Sequence, residues 1–305
     1  VSYSVEPLPL PANATLDGST FTFSPAAEQV GSFEFMFTAE NEAGEMRSGA
    51  VEITVLAPPE DGATGISGRL LDSIAMSQGD EVPIVGATVQ ILGGSAATTT
   101  DAQGNFVLDD IVGTEVVLDI DTDTADAAPD GSTYASFRVP LSLVANVTNF
   151  IGEPILLPRN DPDSATMVDP GSTTTVENPN TGVSIEIPPG TAENPDGSDF
   201  SGEMSISDVP TDSAPMQLPR ELQPAMLTTI QPTGVTFDQP VPITFPNIDD
   251  LPPGTQTDLW SVDPETGGFA VVGTGEVTAD GTMIETISGG VRAATWHMPL
   301  PPQPP

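Results

Sequence analysis

The chain holds little reactive chemistry, and nearly all of it is carboxylate. Its 305 residues include 44 Asp and Glu, one His and no Cys. The basic residues are Arg47, Arg69, Arg138, Arg159, Arg220 and Arg292, so Lys is absent. A Cys-His pair, a Ser-Lys dyad and a Schiff base are therefore excluded. A Ser-His-Asp triad would have to use His297, beside Trp296 near the end of the last predicted strand, where a packing or capping role is the ordinary one. No Ser occupies the Gly-x-Ser-x-Gly elbow of an α/β hydrolase. Paired carboxylates for glycoside hydrolysis stay open on the number of acids alone. Such sites usually add aromatic platforms, and besides Phe only Trp260, Trp296, Tyr3 and Tyr134 are available. The reading this supports is a non-catalytic protein.

Hard oxygen ligands suit calcium, the one metal the composition favours. One stretch supplies candidates by spacing: Asp119-Ile120-Asp121-Thr122-Asp123 offers Asp119, Asp121 and Asp123. Strand periodicity of two puts the three Asp on one face, with Asp126 and Asp130 close behind. Like charges at that spacing repel, so the expectation is a solvent-facing edge or a bound cation. Asn194-Pro195-Asp196-Gly197-Ser198-Asp199 and Asp161-Pro162-Asp163 are further oxygen-rich loops, more simply read as Asx-turns. None has EF-hand spacing. Asn13-Ala14-Thr15 and Asn146-Val147-Thr148 are formal glycosylation sequons.

The formal net charge of -38 sets the partners. Binding nucleic acid needs cationic groups to displace phosphate counterions, so nucleic acid is excluded, and anionic membrane surfaces are disfavoured likewise. No run approaches the roughly 20 apolar residues of a membrane span, so direct insertion is not expected. So acidic a surface suits a saline or extracellular setting, screened by salt or divalent cations. Without Cys or Lys there are neither disulfides nor Lys-Asn isopeptide links, and stability must come from packed cores, cations or assembly. The opening Val1-Ser2-Tyr3 reads as a processed product or an excised segment.

These residues need elements to hold them, and the composition points to an all-β chain. With 33 Pro and 29 Gly, many short strands joined by turns are expected, and helix formers are scarce. Three consecutive β-sandwich domains follow: residues 1–57, 65–158 and 172–298, with linkers at 58–64 and 159–171 and a Pro-rich tail at 299–305. In the first, Phe33, Phe35 and Phe37 alternate with Glu34 and Met36, and Val51, Ile53 and Val55 repeat the pattern. With Tyr3-Val5 and Phe21-Phe23 this makes about four strands, where an immunoglobulin-like sandwich needs about seven. The domain is therefore either cut or completed by a strand from another chain. In the third, strands are predicted at 183–187, 204–206, 227–230, 241–245, 259–262, 269–272, 283–287 and 292–297. Pro299 to Pro305 is read as too Pro-rich for a central strand.

Three family resemblances accompany this reading. The runs Gly65-Ile66-Ser67-Gly68-Arg69-Leu70-Leu71-Asp72, Val85-Gly86-Ala87-Thr88-Val89-Gln90-Ile91 and Thr100-Asp101-Ala102-Gln103-Gly104-Asn105-Phe106 resemble the transthyretin-like, carboxypeptidase regulatory-like domain, with Gly104 in a positive-φ turn. That resemblance implies a module with no active site of its own. Leu8 to Asp17, Phe21 to Pro25 and Gly31 to Phe35 resemble Ig-like, cadherin-related repeats of bacterial surface proteins; Ala39-Glu40-Asn41-Glu42-Ala43-Gly44 resembles their acidic loop, which implies Glu40 and Glu42 as further calcium ligands. Gly182-Val183-Ser184-Ile185-Glu186-Ile187-Pro188-Pro189-Gly190 and Gln231-Pro232-Thr233-Gly234-Val235-Thr236-Phe237 are similar to the β domain shared by ankyrins and netrin receptors. Together they imply a bacterial extracellular or cell-surface structural protein: a spacer, an adhesin stalk or a filament subunit. Its partners would be copies of itself or other surface proteins. A module recognising a glycan or a protein is the alternative.

Overall fold

Alternating Phe residues in a ten-residue run dictate a long strand with one apolar face, and the computed structural model has it. The structure describes residues 1–26, 29–41, 43–55, 63–212, 214, 224–263 and 268–300. The chain divides into two compact units, Val1–Gly62 and Ala63–Pro305. The fold class is all-β, as expected.

In the first unit, β1 (Ser2–Glu6), β4 (Gly31–Glu40) and β5 (Met46–Val55) form an antiparallel sheet in the order β1-β4-β5. A hairpin of β2 (Ala14–Asp17) and β3 (Thr20–Phe23) adds a second layer. Phe21 and Phe23 of the hairpin contact the row Phe33, Phe35 and Phe37, with ring centroids 4.8–5.6 Å apart. Phe35, at the centre of that row, is completely buried. β2 goes unpredicted because Ala14 is its one buried residue, so its alternation is weak.

The second unit begins with two four-stranded sheets. β6 (Gly65–Asp72) pairs with β9 (Asn105–Leu108) antiparallel, and with β12 (Thr148–Phe150) and β13 (Ile155–Leu157) in parallel. β7 (Thr88–Ile91), β8 (Ala97–Thr99), β10 (Glu115–Asp121) and β11 (Phe137–Ser142) form the other sheet, in the order β11-β10-β7-β8. Pro140 is tolerated because β11 is an edge strand. Gly104 has φ 77°, and a Cβ there would lie 2.4 Å from the Leu70 carbonyl oxygen, so this turn requires glycine. One short helix, α1 (Ser73–Ser77), follows β6, its first amides accepted by the Asp72 carboxylate.

The remaining strands are β14 (Thr166–Met167), β15 (Thr174–Glu177), β16 (Ser184–Ile187), β17 (Ala192–Glu193), β18 (Glu203–Asp208), β19 (Thr228–Gln231), β20 (Thr236–Val241), β21 (Ile243–Pro246), β22 (Gln256–Val262), β23 (Phe269–Val277), β24 (Met283–Gly289), β25 (Val291–Ala293) and β26 (Trp296–Leu300). Ten join in the order β14-β18-β19-β26-β22-β23-β24-β21-β16-β15, and its end strands are consecutive in the chain, so the sheet curls nearly back on itself. β17, β20 and β25 form a small sheet of their own. Val176, Ile185, Ile206, Phe237, Ile243, Phe245 and Ile284 fill the core.

Four sequence expectations change here. The predicted strand 292–297 breaks at Ala294-Thr295 into β25 and β26, which belong to different sheets. The strand 241–245 breaks at Pro242, which lacks the N–H a continuous ladder would use. The span 159–171 holds a 3-10 turn (Pro162–Ser164) and β14 where a linker was predicted. Pro299 lies inside β26, paired with Leu259, while the pairing of β26 with β19 reaches only His297, so its missing N–H falls where that second ladder has ended. Residues 58–62 of the first predicted linker and 301–305 of the tail lie outside the described residues.

One core joins the two parts of the second unit. Phe137 of β11 stacks on Trp296 of β26, with centroids 4.4 Å apart and planes 21° apart. Val209, Leu227, Val262, Met298 and Leu300 belong to the same cluster as Ile66, Leu118 and Ile120.

Candidate functional site

Asp119 and Asp121 follow one another on the same face of β10, and Asp123 comes just after the strand ends. All three line one cleft of about 310 Å³, although only Asp119 and Asp121 lie on the strand that the sequence reading extended to Asp123. Its opposite wall comes from the later strands, with Glu203 and Ser205 on β18 and Gln231, Pro232 and Thr233 at the end of β19. Asn160 and Arg138 complete it.

The register explains which carboxylates are neutralised. Asp119 lies directly across from Arg138 on β11 and from Gln90 on β7. Arg138 Nε donates to Asp119 Oδ1 at 2.9 Å and Gln90 Nε2 to Oδ2 at 2.9 Å, so Asp119 is paired on both oxygens. Asp121 accepts the Asp123 amide at 2.9 Å. Asp123 has no cationic partner among the described residues, and burial together with the Asp121 charge raises its pKa. The cleft thus carries one internal ion pair and an acidic rim.

Main-chain chemistry fastens the walls together. The Ser136 carbonyl, just before β11, accepts both Gln231 Nε2 at 3.1 Å and Thr233 Oγ1 at 2.8 Å. Ser207 Oγ accepts the Asp161 amide at 2.7 Å, and Asn178 Nδ2 donates to Asp161 Oδ2 at 3.0 Å. Beside the cleft sits a buried charge network. Asp72, with no exposed surface, accepts the amides of Ile74 and Ala75, the Tyr134 hydroxyl at 3.1 Å and Arg159 Nε at 2.7 Å. Arg159 Nη1 reaches on to Asp130 at 2.7 Å. Burial, then the Asp72 charge, pushes the Tyr134 hydroxyl up, so it stays protonated. Hydrogen bonds from Ser132, and then Arg159, hold the Asp130 carboxyl down at about 2.

The remaining predicted residues fall elsewhere. Glu40 ends β4 in the first unit, where the turn is closed instead by Asn41, whose Oδ1 accepts the amides of Ala43 and Glu45 at 2.9 and 3.0 Å. Glu42 lies outside the described residues. Among the described residues, no three His, Cys, Asp or Glu side chains are grouped so as to hold a metal ion. Asp161 and Asp196 make the Asx-turns expected of them. His297 is buried, with Nε2 3.1 Å from the Ala293 carbonyl and Nδ1 without a partner, an arrangement unlike that of a triad histidine. Burial holds its pKa down at about 4, so the ring is neutral near pH 7.

Sequence reasoning missed Arg138, Glu203, Gln231 and Thr233 as cleft residues. The Asp119–Arg138 pairing spans a long excursion between β10 and β11, and Gln231 is more than a hundred residues from the Asp row. Local sequence offers no signal for them: of the strand arginines, Arg138 lies opposite Asp119, whereas Arg47 lies opposite Ala39 and Arg69 opposite Asn105.

The fold and the cleft define an all-β protein of packed sandwiches with a polar, acidic junction and no helix, among the described residues, long and apolar enough to cross a membrane. Residues 164–259, about a third of the chain, match the ZU5 domain family. The match lies in the segment similar to the β domain of ankyrins and netrin receptors, and it stops within β22, short of β26 in the middle of the sheet. A search of curated proteins found no match. Among solved structures, a type II cohesin–X–dockerin complex from Acetivibrio cellulolyticus, in an N-terminal interface mutant form, is similar at 20% identity and a TM-score of 0.23. The similarity covers 32% of this chain and 59% of that one, so the chain spans less than two thirds of its length.

Proposed function

We propose that the protein is a non-catalytic extracellular or cell-surface structural protein of bacterial type, a spacer, adhesin stalk or filament subunit that presents a stiff β body to protein partners. The observation that carries this reading is the core shared across the second unit, with Phe137 stacked on Trp296. A shared core turns two sandwiches into one load-bearing piece, because neither can rotate without exposing apolar surface. The resemblance of residues 65–158 to the regulatory-like module, itself without an active site, and the ZU5 match support an interaction role over a catalytic one. Single-molecule stretching of the chain tests the reading. One rupture should release the second unit as a whole; two separate ruptures, or substrate turnover lost on changing Asp121 or Glu203, would refute it.

The cleft favours recognition of a partner protein or a glycan as a second reading, because it offers polar groups from both walls. Calcium at the carboxylates expected from the sequence, Glu40, Glu42, Asp119, Asp121 and Asp123, belongs to the proposal as a stiffener. A cation that binds only the folded form must raise the melting temperature, so a calcium titration that leaves it unmoved removes this part.

A further inference from the structure

β5 ends the sheet of the first unit, and natural sheets usually guard such an edge with Lys, Pro, a bulge or short length. β5 has none of these. It runs ten residues in unbroken register with β4 and carries only Arg47 and Glu52 as charges. The bond from the Asn41 amide to the Glu45 carbonyl, 3.0 Å, sets the ladder phase. Odd-numbered residues of β5 therefore bond to β4, and the N–H and C=O groups of Met46, Ser48, Ala50 and Glu52 point away from it. On the apolar face, Val51 is 46% exposed beside Gly49, where an added Cβ would meet nothing within 4 Å.

We propose that β5 pairs antiparallel with β5 of a second copy of this chain, centred on Ala50; the inference rests on the structural reading above and names its partner. In this register Ser48 faces Glu52, Arg47 faces Ile53, and each Val51 faces the partner's Gly49. No like charges oppose one another, and the exposed valine lies across from the notch left by the glycine. The contact is isologous, so it closes as a dimer. Two three-stranded sheets become one of six, with the Phe33, Phe35, Phe37 and Val51 face continuous across the junction. Because each chain carries a charge of -38, the association strengthens as salt screens the repulsion.

Sedimentation velocity of the full chain over a concentration series, at low and high salt, tests this. The expected result is a monomer–dimer equilibrium that tightens with salt, together with concentration-dependent amide protection at Ser48, Ala50 and Glu52. Ala50→Pro and Glu52→Pro each remove an outward N–H without touching the β4 ladder. Each should weaken the dimer by at least about tenfold while circular dichroism stays unchanged. A monomer under all conditions, or a dimer indifferent to both substitutions, overturns the proposal. Either outcome leaves the structural role of the second unit to be decided separately, by the stretching experiment.

Discussion

The two units solve the same sequence problem with different amounts of closure. Both are written in alternating apolar and polar residues, yet in the first unit Val5, Ala14 and Phe35 are the only buried hydrophobics among the described residues. The second holds two buried clusters, and one of them, from Ile66 to Leu300, draws residues from both its parts. Alternation sets which face is apolar; the number of layers laid on that face sets how much of it leaves water. The first unit therefore depends on aromatic contacts, and the second on two buried clusters, one of them shared by both its parts.

Substitutions can break this contrast, and the largest effect belongs at the seam. Trp296→Ala removes the ring stacked on Phe137 and should cost the second unit about 3–5 kcal/mol in chemical denaturation, leaving the first unit's transition in place. Asp72→Ala leaves Arg159 without its buried partner and should cost about 3 kcal/mol in the same unit, read the same way. Phe35→Ala sharpens the other side of the comparison. A loss of about 3 kcal/mol there should abolish the first unit's transition and leave the second unchanged, as monitored by fluorescence and calorimetry.

The smallest effect is on pH dependence. The folded pKa of His297 is lowered from 6.5 to about 4, so the unfolded chain takes up a proton that the folded chain refuses between those values. Stability from this group is full above pH 6.5 and falls, on the order of 1–3 kcal/mol, as pH drops to about 4. His297→Gln should flatten that slope in the second unit only. Asp130 acts further down: its folded pKa of about 2 lies below the ordinary 3.8, so its contribution is present above 3.8 and lost as pH falls through about 2.

Much of this was legible from residue types. The Phe33, Phe35 and Phe37 row and the shared face of Asp119 and Asp121 follow from local periodicity, and the positive φ of Gly104 from local turn chemistry; local pattern is what a sequence displays. Long-range pairing is not. Nothing near Asp119 announces that Arg138 will lie opposite, or that Gln231 will bond to Ser136. The Pro-rich ending misleads for a related reason: Pro299 reads as a breaker until the ladder on one side of β26 is seen to end at His297. Arg159 looks like part of a polar linker because its partners, Asp72 and Asp130, lie 87 and 29 residues away.

Differential scanning calorimetry of the whole chain tests the central claim most directly. Two transitions are expected, one small for residues 1–62 and one large for 63–305, with the calorimetric and van't Hoff enthalpies of the large one equal. A third transition, separating residues 63–158 from the strands that follow, would contradict a common interior.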